Sequence, residues 1–484
     1  MNIKIISRNV GFALLVSALF MFLSVLVSMA NGNDSALTAL LISFIITFIV
    51  GIFPFIFVRR SSGITLRDGF MIIVLSWLLS FIFGMLPYVL WGGPFTVANA
   101  WFESVSGYTT TGATILDDVE ALPDSLLFWR SSTHFIGGLG VVVFLLLIIP
   151  NSSPVRLRLT NMELSSLSRE GYSTRTNKIV RMFAAVYLTL NAAAFLAYWA
   201  AGMTPFEAVN HAFSVCASGG FSTRTQSIAS FGSRPIEAVS MLFMLLTSLH
   251  FGMLYLVFAT RSLKPLKNPV LKFYLLSLLL FTLVLTCLLR ADGCTQSWGE
   301  SLWTGAFQVI STASTTGFSL SDNADWPVTA GIVMLFAGLM CGCAGSTSGG
   351  VKADRVLTFL KSVRLRVLRT VHPSSVTEVW FGDHIVREEE LSAQMLYLTL
   401  YCLLISLSVF ISLLLGVDSL NSFAASVMSL GNVGPALGSL GNMGSFASIS
   451  DGAKFLYTMD MFCGRIEIYP ILAVLTMLFS RKVK

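Results

Sequence analysis

Four short stretches of this 484-residue chain set glycine beside oxygen-bearing residues: SGYTTTGAT, SVCASGGFS, TASTTGFSL and SLGNVGPAL, which hold Gly112, Gly220, Gly317 and Gly434. Hydroxyls and backbone carbonyls are neutral oxygen donors, and a ring of them replaces the hydration shell of a cation. Glycine serves there because neighbouring carbonyls aim the same way only with φ values that a Cβ penalises. Other chemistries find less support. The five histidines (His134, His211, His250, His372, His384) show no metal-ligand spacing, and the seven cysteines form no C-x-x-C pair. GSTSGGVK has Val351 where a phosphate loop needs lysine. No histidine stands at a fixed relation to Ser346 or Ser348, as a serine nucleophile requires.

The glycines sit inside a longer repeat. Twelve residues before each comes a small residue (Ala100, Ala208, Gly305, Ser422), and seven before comes an apolar one (Val105, Phe213, Ile310, Val427). Ser106, Ser214 and Ser311 stand six before, with Met428 in the fourth copy. The segment preceding each glycine is about three helical turns, long enough to enter a bilayer halfway and stop. Non-helical backbone at that depth is tolerated only inside protein or along a water-filled cavity. Four copies in one chain therefore predict a pseudo-fourfold ring around one such cavity.

The surrounding composition is that of a membrane protein: 55% hydrophobic, 12% charged, mean hydropathy +0.77, where soluble domains carry about 25% charged residues. Ten candidate spans lie near 10–30, 39–58, 69–91, 127–149, 179–201, 236–260, 269–290, 327–343, 391–416 and 454–480. The basic N-terminal start resembles a signal peptide, but its apolar run is of spanning length and a second span follows closely, so a retained helix is expected. Most of the 31 Lys and Arg fall in alternate loops (Arg59–Arg67, Arg156–Arg181, Arg261–Lys272, Lys352–Arg387) and near both ends, which puts those loops and both termini in the cytoplasm. The opposite loops carry Asp117, Asp118, Glu120 and Asp124, acids that raise the local cation concentration or merely solvate a surface. A net charge of +6 makes no case for nucleic acid. Membrane lipid is the expected surrounding, and anionic lipid or a soluble partner fits the basic loops.

Two further features interrupt the apolar runs. CGCAGSTSGGVK, residues 341–352, places four glycines at the end of the eighth span, where they break a helix or permit close packing. Arg465 lies within the last span, and an arginine there faces the protein interior or a hydrated cavity. Glu467, two residues on, points to a different helix face. A coupled secondary transporter also breaks helices at midplane, but often with inverted repeats, whereas all four glycine turns here lie on the acidic side.

With these stretches, LRDGFMIIVLSW in the first repeat, FWRSSTHFIGGLGVVV in its second helix, CGCAGSTSGGVKADR in the third repeat and MFCGRIEIYP in the fourth, the chain resembles the superfamily of Trk, Ktr and HKT potassium transporters. The resemblance covers essentially the whole chain, and the extra N-terminal hairpin looks most like the membrane subunit of bacterial Trk systems. It implies an all-α membrane protein of ten transmembrane helices: a hairpin over 1–64, then helix–pore helix–helix repeats over 65–155, 156–262, 263–372 and 373–484. It implies transport rather than enzymatic catalysis, with K⁺ as the transported ion, and no other cofactor. The residues at the filter positions are Thr110, Thr111, Gly112, Ser218, Gly219, Gly220, Thr315, Thr316, Gly317, Asn432, Val433 and Gly434. Relatives with serine at the first glycine tend to favour sodium, so Gly112 points to potassium. GNVGP lacks hydroxyls, which weakens that wall. The resemblance makes 341–352 a gating loop, with Gly342, Ala344, Gly345, Ser346, Thr347, Gly349, Gly350, Lys352 and the facing Arg465 as gate residues. It further implies a homodimer in the inner membrane and a nucleotide-binding cytoplasmic regulatory subunit of TrkA type. Na⁺-permeable or ion-coupled symport within the superfamily is the alternative.

Overall fold

In the computed structural model, residues 2–140 and 176–479 are described, apart from 62, 64, 325, 373–378, 382–383, 387, 435–437 and 442. Most of the basic Arg156–Arg181 stretch, Pro435 of GNVGP and the terminal RKVK lie outside the described residues. Six described helices are long and apolar enough to cross a membrane, and two bent pairs meet the same test when each is taken as one span.

The first two helices, α1 (Ile3–Ala30) and α2 (Leu37–Phe57), form a hairpin. Gly11 faces the Gly51 carbonyl, and a Cβ there would approach it to 2.6 Å, so the small residues set how closely the helices pack. Asp34 in the turn accepts from the backbone and hydroxyl of Ser125, tying the hairpin to the first repeat. α3 (Leu66–Gly84) starts with a capping box between Thr65 and Asp68, and α4 (Leu86–Trp91) continues it.

Four short helices then precede the four glycines: α5 (Val97–Tyr108), α8 (Pro205–Ala217), α12 (Trp298–Ala313) and α16 (Ser419–Leu430). Their N-caps are Thr96, Thr204, Ser297 and Asp418, and each side chain accepts the backbone N–H three residues on. The shortest have 12 residues, about 18 Å of helix against a hydrocarbon core of about 30 Å. Each is preceded by a long helix: α3, α7 (Thr176–Ala200), α11 (Pro269–Ala291) or α15 (Glu388–Leu414). Each is followed by a second one: α6 (Asp124–Leu139), α9 (Arg234–Ser248) with α10 (Phe251–Thr260), α13 (Val328–Met340) with α14 (Ala353–Val371), or α17 (Asp451–Arg465) with α18 (Tyr469–Phe479).

The expected spans 236–260 and 454–480 are each bent partway along instead of running as one straight helix. α9 and α10 meet at 99°, and α17 and α18 at 107°. At the second break Glu467 and Ile468 take positive φ, 61° and 55°. The first span also begins at Ile3 instead of residue 10. The all-α expectation has one departure among the described residues, a hairpin pairing Val379–Phe381 with His384–Val386.

One apolar cluster joins α1, α3, α5 and α6 to α16 and α17, with the Phe81 and Phe462 rings 5.3 Å apart. The chain's beginning and end are thus packed together.

Candidate functional site

The four glycine stretches share one backbone conformation. Gly112, Gly220, Gly317 and Gly434 have φ of 81°, 79°, 80° and 88°. Two residues earlier, Thr110, Ser218, Thr315 and Asn432 have φ of 53°, 54°, 58° and 54°, left-handed values rare outside glycine. Two hydrogen bonds recur with them. The N–H of Thr111, Gly219, Thr316 and Val433 donates to the carbonyl five back, and the N–H of the preceding residue donates to the carbonyl three back. These close the C-terminal turn of each short helix, whose negative dipole end thus abuts the glycine stretch.

The stretches lie against one another. A Cβ on Gly112 would fall under 3.0 Å from the Gly219 carbonyl oxygen, one on Gly220 likewise from that of Thr316, and one on Gly434 from that of Thr111. All four glycines line a single cavity open on one side, with Thr114, Asp117 and Thr225 on its wall. Several hydroxyls serve neighbours: Thr111 bonds Thr109 and Asn432, Thr316 bonds Ser314, and Thr315 accepts from Gly349. Asn432 replaces the missing hydroxyl of the fourth stretch with an amide donating to Thr111 and to the Met461 carbonyl.

Behind the stretches, a polar residue stands nine positions before three of the glycines. Glu103 accepts from Thr114 and the Ile115 N–H, His211 bonds Ser222, and Gln308 donates to the Ser321 carbonyl; Ala425 holds the fourth position. Glu103 also pairs with Arg130 at 2.5 Å, both buried. The acids at the cavity rim have structural partners: Asp117 bonds Ser445, Asp118 bonds Thr225, and Glu120 and Glu207 pair with Arg224. Burial works to raise the Glu207 carboxyl, but hydrogen bonds from Thr204 and Arg224 outweigh it and hold the group below its ordinary range.

The 341–352 segment is buried and held on several sides. Cys343 donates to the Ser248 carbonyl, and Phe251 donates to that of Gly345, so the break between α9 and α10 cradles it. Gly349 lies against Gly431 and Asn432, where a Cβ would fall within 3.0 Å of both. Ala344 donates to Asp354, and the Lys352 ammonium caps the Ser348 carbonyl. Arg465, 5% exposed, donates to the Thr347 carbonyl at 2.7 Å and to that of Gly137 at 3.3 Å. Glu467 pairs instead with Arg355 at 2.6 Å, beneath whose guanidinium lies the Tyr397 ring.

The structure brings the four expected glycines to one pocket, and it places Gly342, Ala344, Gly345, Ser346, Thr347, Gly349, Gly350 and Lys352 in one buried loop contacted by Arg465. Sequence reading missed Arg130, Arg355, and the Ser248–His250 break. For Arg130 a signal existed, because FWRSSTHF puts an arginine into a run fit for lipid. For the break there was none, since TSLHFGML contains no proline and its glycine lies beyond the bend. Among the described residues no His, Cys, Asp or Glu cluster is arranged to hold a metal ion.

Comparison with known proteins places this architecture. The model of the TrkH family, cation transport proteins, matches residues 36–482. The chain is 32% identical over 486 residues to the Trk system potassium uptake protein TrkH of Salmonella typhimurium, with all of both chains covered. It is 31% identical over 494 residues to the protein of the same description from Escherichia coli, again over the full length of each. The crystal structure of the potassium transporter TrkH from Vibrio parahaemolyticus matches with a TM-score of 0.89 at 30% identity, covering 99% of this chain and 100% of that one. The chain is a multi-pass membrane protein and belongs to the TrkH family of cation transport proteins.

Proposed function

We propose that this chain is a potassium uptake subunit whose four glycine stretches form the selectivity filter. The carrying observation is the fourfold recurrence of one strained backbone, with left-handed residues at the glycine and two positions before it, around a single cavity. Such strain persists where the surroundings over-determine it, and alternating handedness turns successive carbonyls to one side. In this reading K⁺ loses water against the carbonyls of Thr110, Thr111 and Gly112, Ser218, Gly219 and Gly220, Thr315, Thr316 and Gly317, and Asn432, Val433 and Gly434. The dipole ends of α5, α8, α12 and α16 stabilise it.

The finer architecture belongs to the same proposal: ten spans, a hairpin over 1–64, and pore repeats over 65–155, 156–262, 263–372 and 373–484. The alternate basic loops support an inner-membrane orientation with both termini in the cytoplasm. The loop 341–352 is the gate, supported by its contacts with Thr315 and Asn432 and by the Arg465 guanidinium on its Thr347 carbonyl. That positive charge opposes a cation until loop and arginine separate. The resemblance and the system name borne by the relatives support a homodimer and a TrkA-type cytoplasmic regulatory subunit.

The test is rescue of a bacterium lacking its own potassium uptake systems on medium of low K⁺. Growth with this chain is the expected result. No growth, with the chain shown to be folded in the membrane alongside its regulatory partner, would overturn the reading.

A further inference from the structure

We propose that Arg130, Phe221 and His134 form a clamp that fixes the second filter segment and thereby sets cation preference. The inference rests on the filter reading above and adds positioning residues to it.

Phe221 directly follows Gly220 and is 1% exposed. The Arg130 guanidinium carbon lies 3.6 Å from the centre of its ring. The His134 imidazole is stacked on the same ring at 4.1 Å and 15°. Both groups cannot occupy one face at those distances, so the ring is sandwiched. Arg130 and His134 are one turn apart on α6, a helix of the first repeat, so that helix grips the filter of the second.

Each jaw is itself fixed. Arg130 donates to Glu103 at 2.5 Å and to the Ser222 carbonyl at 3.1 Å. Glu103 in turn holds Thr114 and the Ile115 N–H just past the first filter glycine. His134 bonds the Ser214 hydroxyl at 2.9 Å, and its ring fills the space where a Cβ on Gly219 would lie. Gly219 supplies the carbonyl that faces Gly112. Arg130 therefore links the exits of two filter segments, whereas His211 and Gln308, at the register of Glu103, bond within their own repeats.

A filter discriminates only while its oxygens hold their positions, within about 0.5 Å for a working site. The guanidinium suits this duty because its plane stacks while its rigid fork holds two acceptors in fixed directions, whereas an ammonium has no plane to stack and no fixed fork. The clamp is therefore a specificity device, distinguishable from simple packing.

The experiment reconstitutes the full-length protein in liposomes and measures ⁸⁶Rb⁺ and ²²Na⁺ uptake for wild type, Arg130→Lys, Phe221→Leu and, as control, Arg234→Lys. Arg234 stacks on Trp303 at 5.1 Å and pairs with Glu237, but is largely exposed and away from the filter. Arg130→Lys and Phe221→Leu should lower the preference for Rb⁺ by about an order of magnitude while total uptake persists. Arg234→Lys should keep it. An unchanged preference in either folded filter variant, or an equal fall in the control, overturns the clamp. Should Arg130→Lys not fold, Phe221→Leu decides, since it stays apolar and branched while losing the stacking plane. A wild type without preference would remove the filter reading and the clamp with it; a selective wild type with equally selective variants removes the clamp alone.

Discussion

Replacing Gly112 by serine tests the geometry of the filter at its most constrained point. The residue has a φ of 81°, and a side chain in that region costs about 1–2 kcal/mol. The added Cβ would also fall under 3.0 Å from the Gly219 carbonyl oxygen, which is backbone and cannot swing aside as a side-chain end can. One of the two segments must shift by about an ångström, beyond the tolerance of about 0.5 Å for a preorganised site. If the 1–2 kcal/mol is lost from discrimination, K⁺ over Na⁺ preference falls about 5- to 30-fold. The assay is the reversal potential under opposed K⁺ and Na⁺ gradients in liposomes holding the full-length protein. Gly232→Ser separates backbone cost from filter geometry, because Gly232 also has positive φ, 53°, with nothing within 4 Å of its Cβ position. It should lose stability and keep its preference. A folded Gly112→Ser protein with the wild-type reversal potential would refute the reasoning.

Two other predictions concern the loop and the rim. Arg465→Ala removes two hydrogen bonds to buried carbonyls, each worth about 1.5–3 kcal/mol when charged, so the resting ⁸⁶Rb⁺ flux should rise at least about tenfold; an unchanged flux in folded protein would clear Arg465 of a gating role. At the rim, Glu207 is held below its ordinary value of 4.5. A depressed carboxyl stabilises the fold fully above its unfolded pKa and loses that contribution as pH falls through the folded one. The thermal midpoint of wild type should accordingly exceed that of Glu207→Gln from pH 7 down to about pH 5 and converge with it in stronger acid. A gap that does not narrow at all as the pH falls through the carboxylate range would show that the stabilisation is not carried by this charge.

The four glycine stretches were legible in sequence because their backbone demands glycine, and the demand recurs at a fixed register after a capped helix. The left-handed Thr110, Ser218, Thr315 and Asn432 were not, since nothing in their identities distinguishes them from helical neighbours. The break after Ser248 was hidden for a related reason, since TSLHFGML has no proline and the bend is held by a partner distant in sequence, whereas the break after Arg465 left a signal in the two charges and the proline of RIEIYPIL. At the first break that partner is the loop, through Cys343 and Gly345; at the second, Arg355 pairs with Glu467. The pairing of Glu103 with Arg130 likewise depends on packing between α5 and α6, although the cost of an arginine in a bilayer already marked that residue. Position-by-position chemistry could be read locally, and long-range pairing could not.

The account stands most directly on where the ion sits. Crystals of the full-length protein grown with Tl⁺ in place of K⁺ should give an anomalous peak inside the cavity shared by Gly112, Gly220, Gly317 and Gly434, within coordinating distance of the carbonyls of Thr111, Gly219, Thr316 and Val433. A strong peak elsewhere in the membrane region, with this cavity empty, would contradict it.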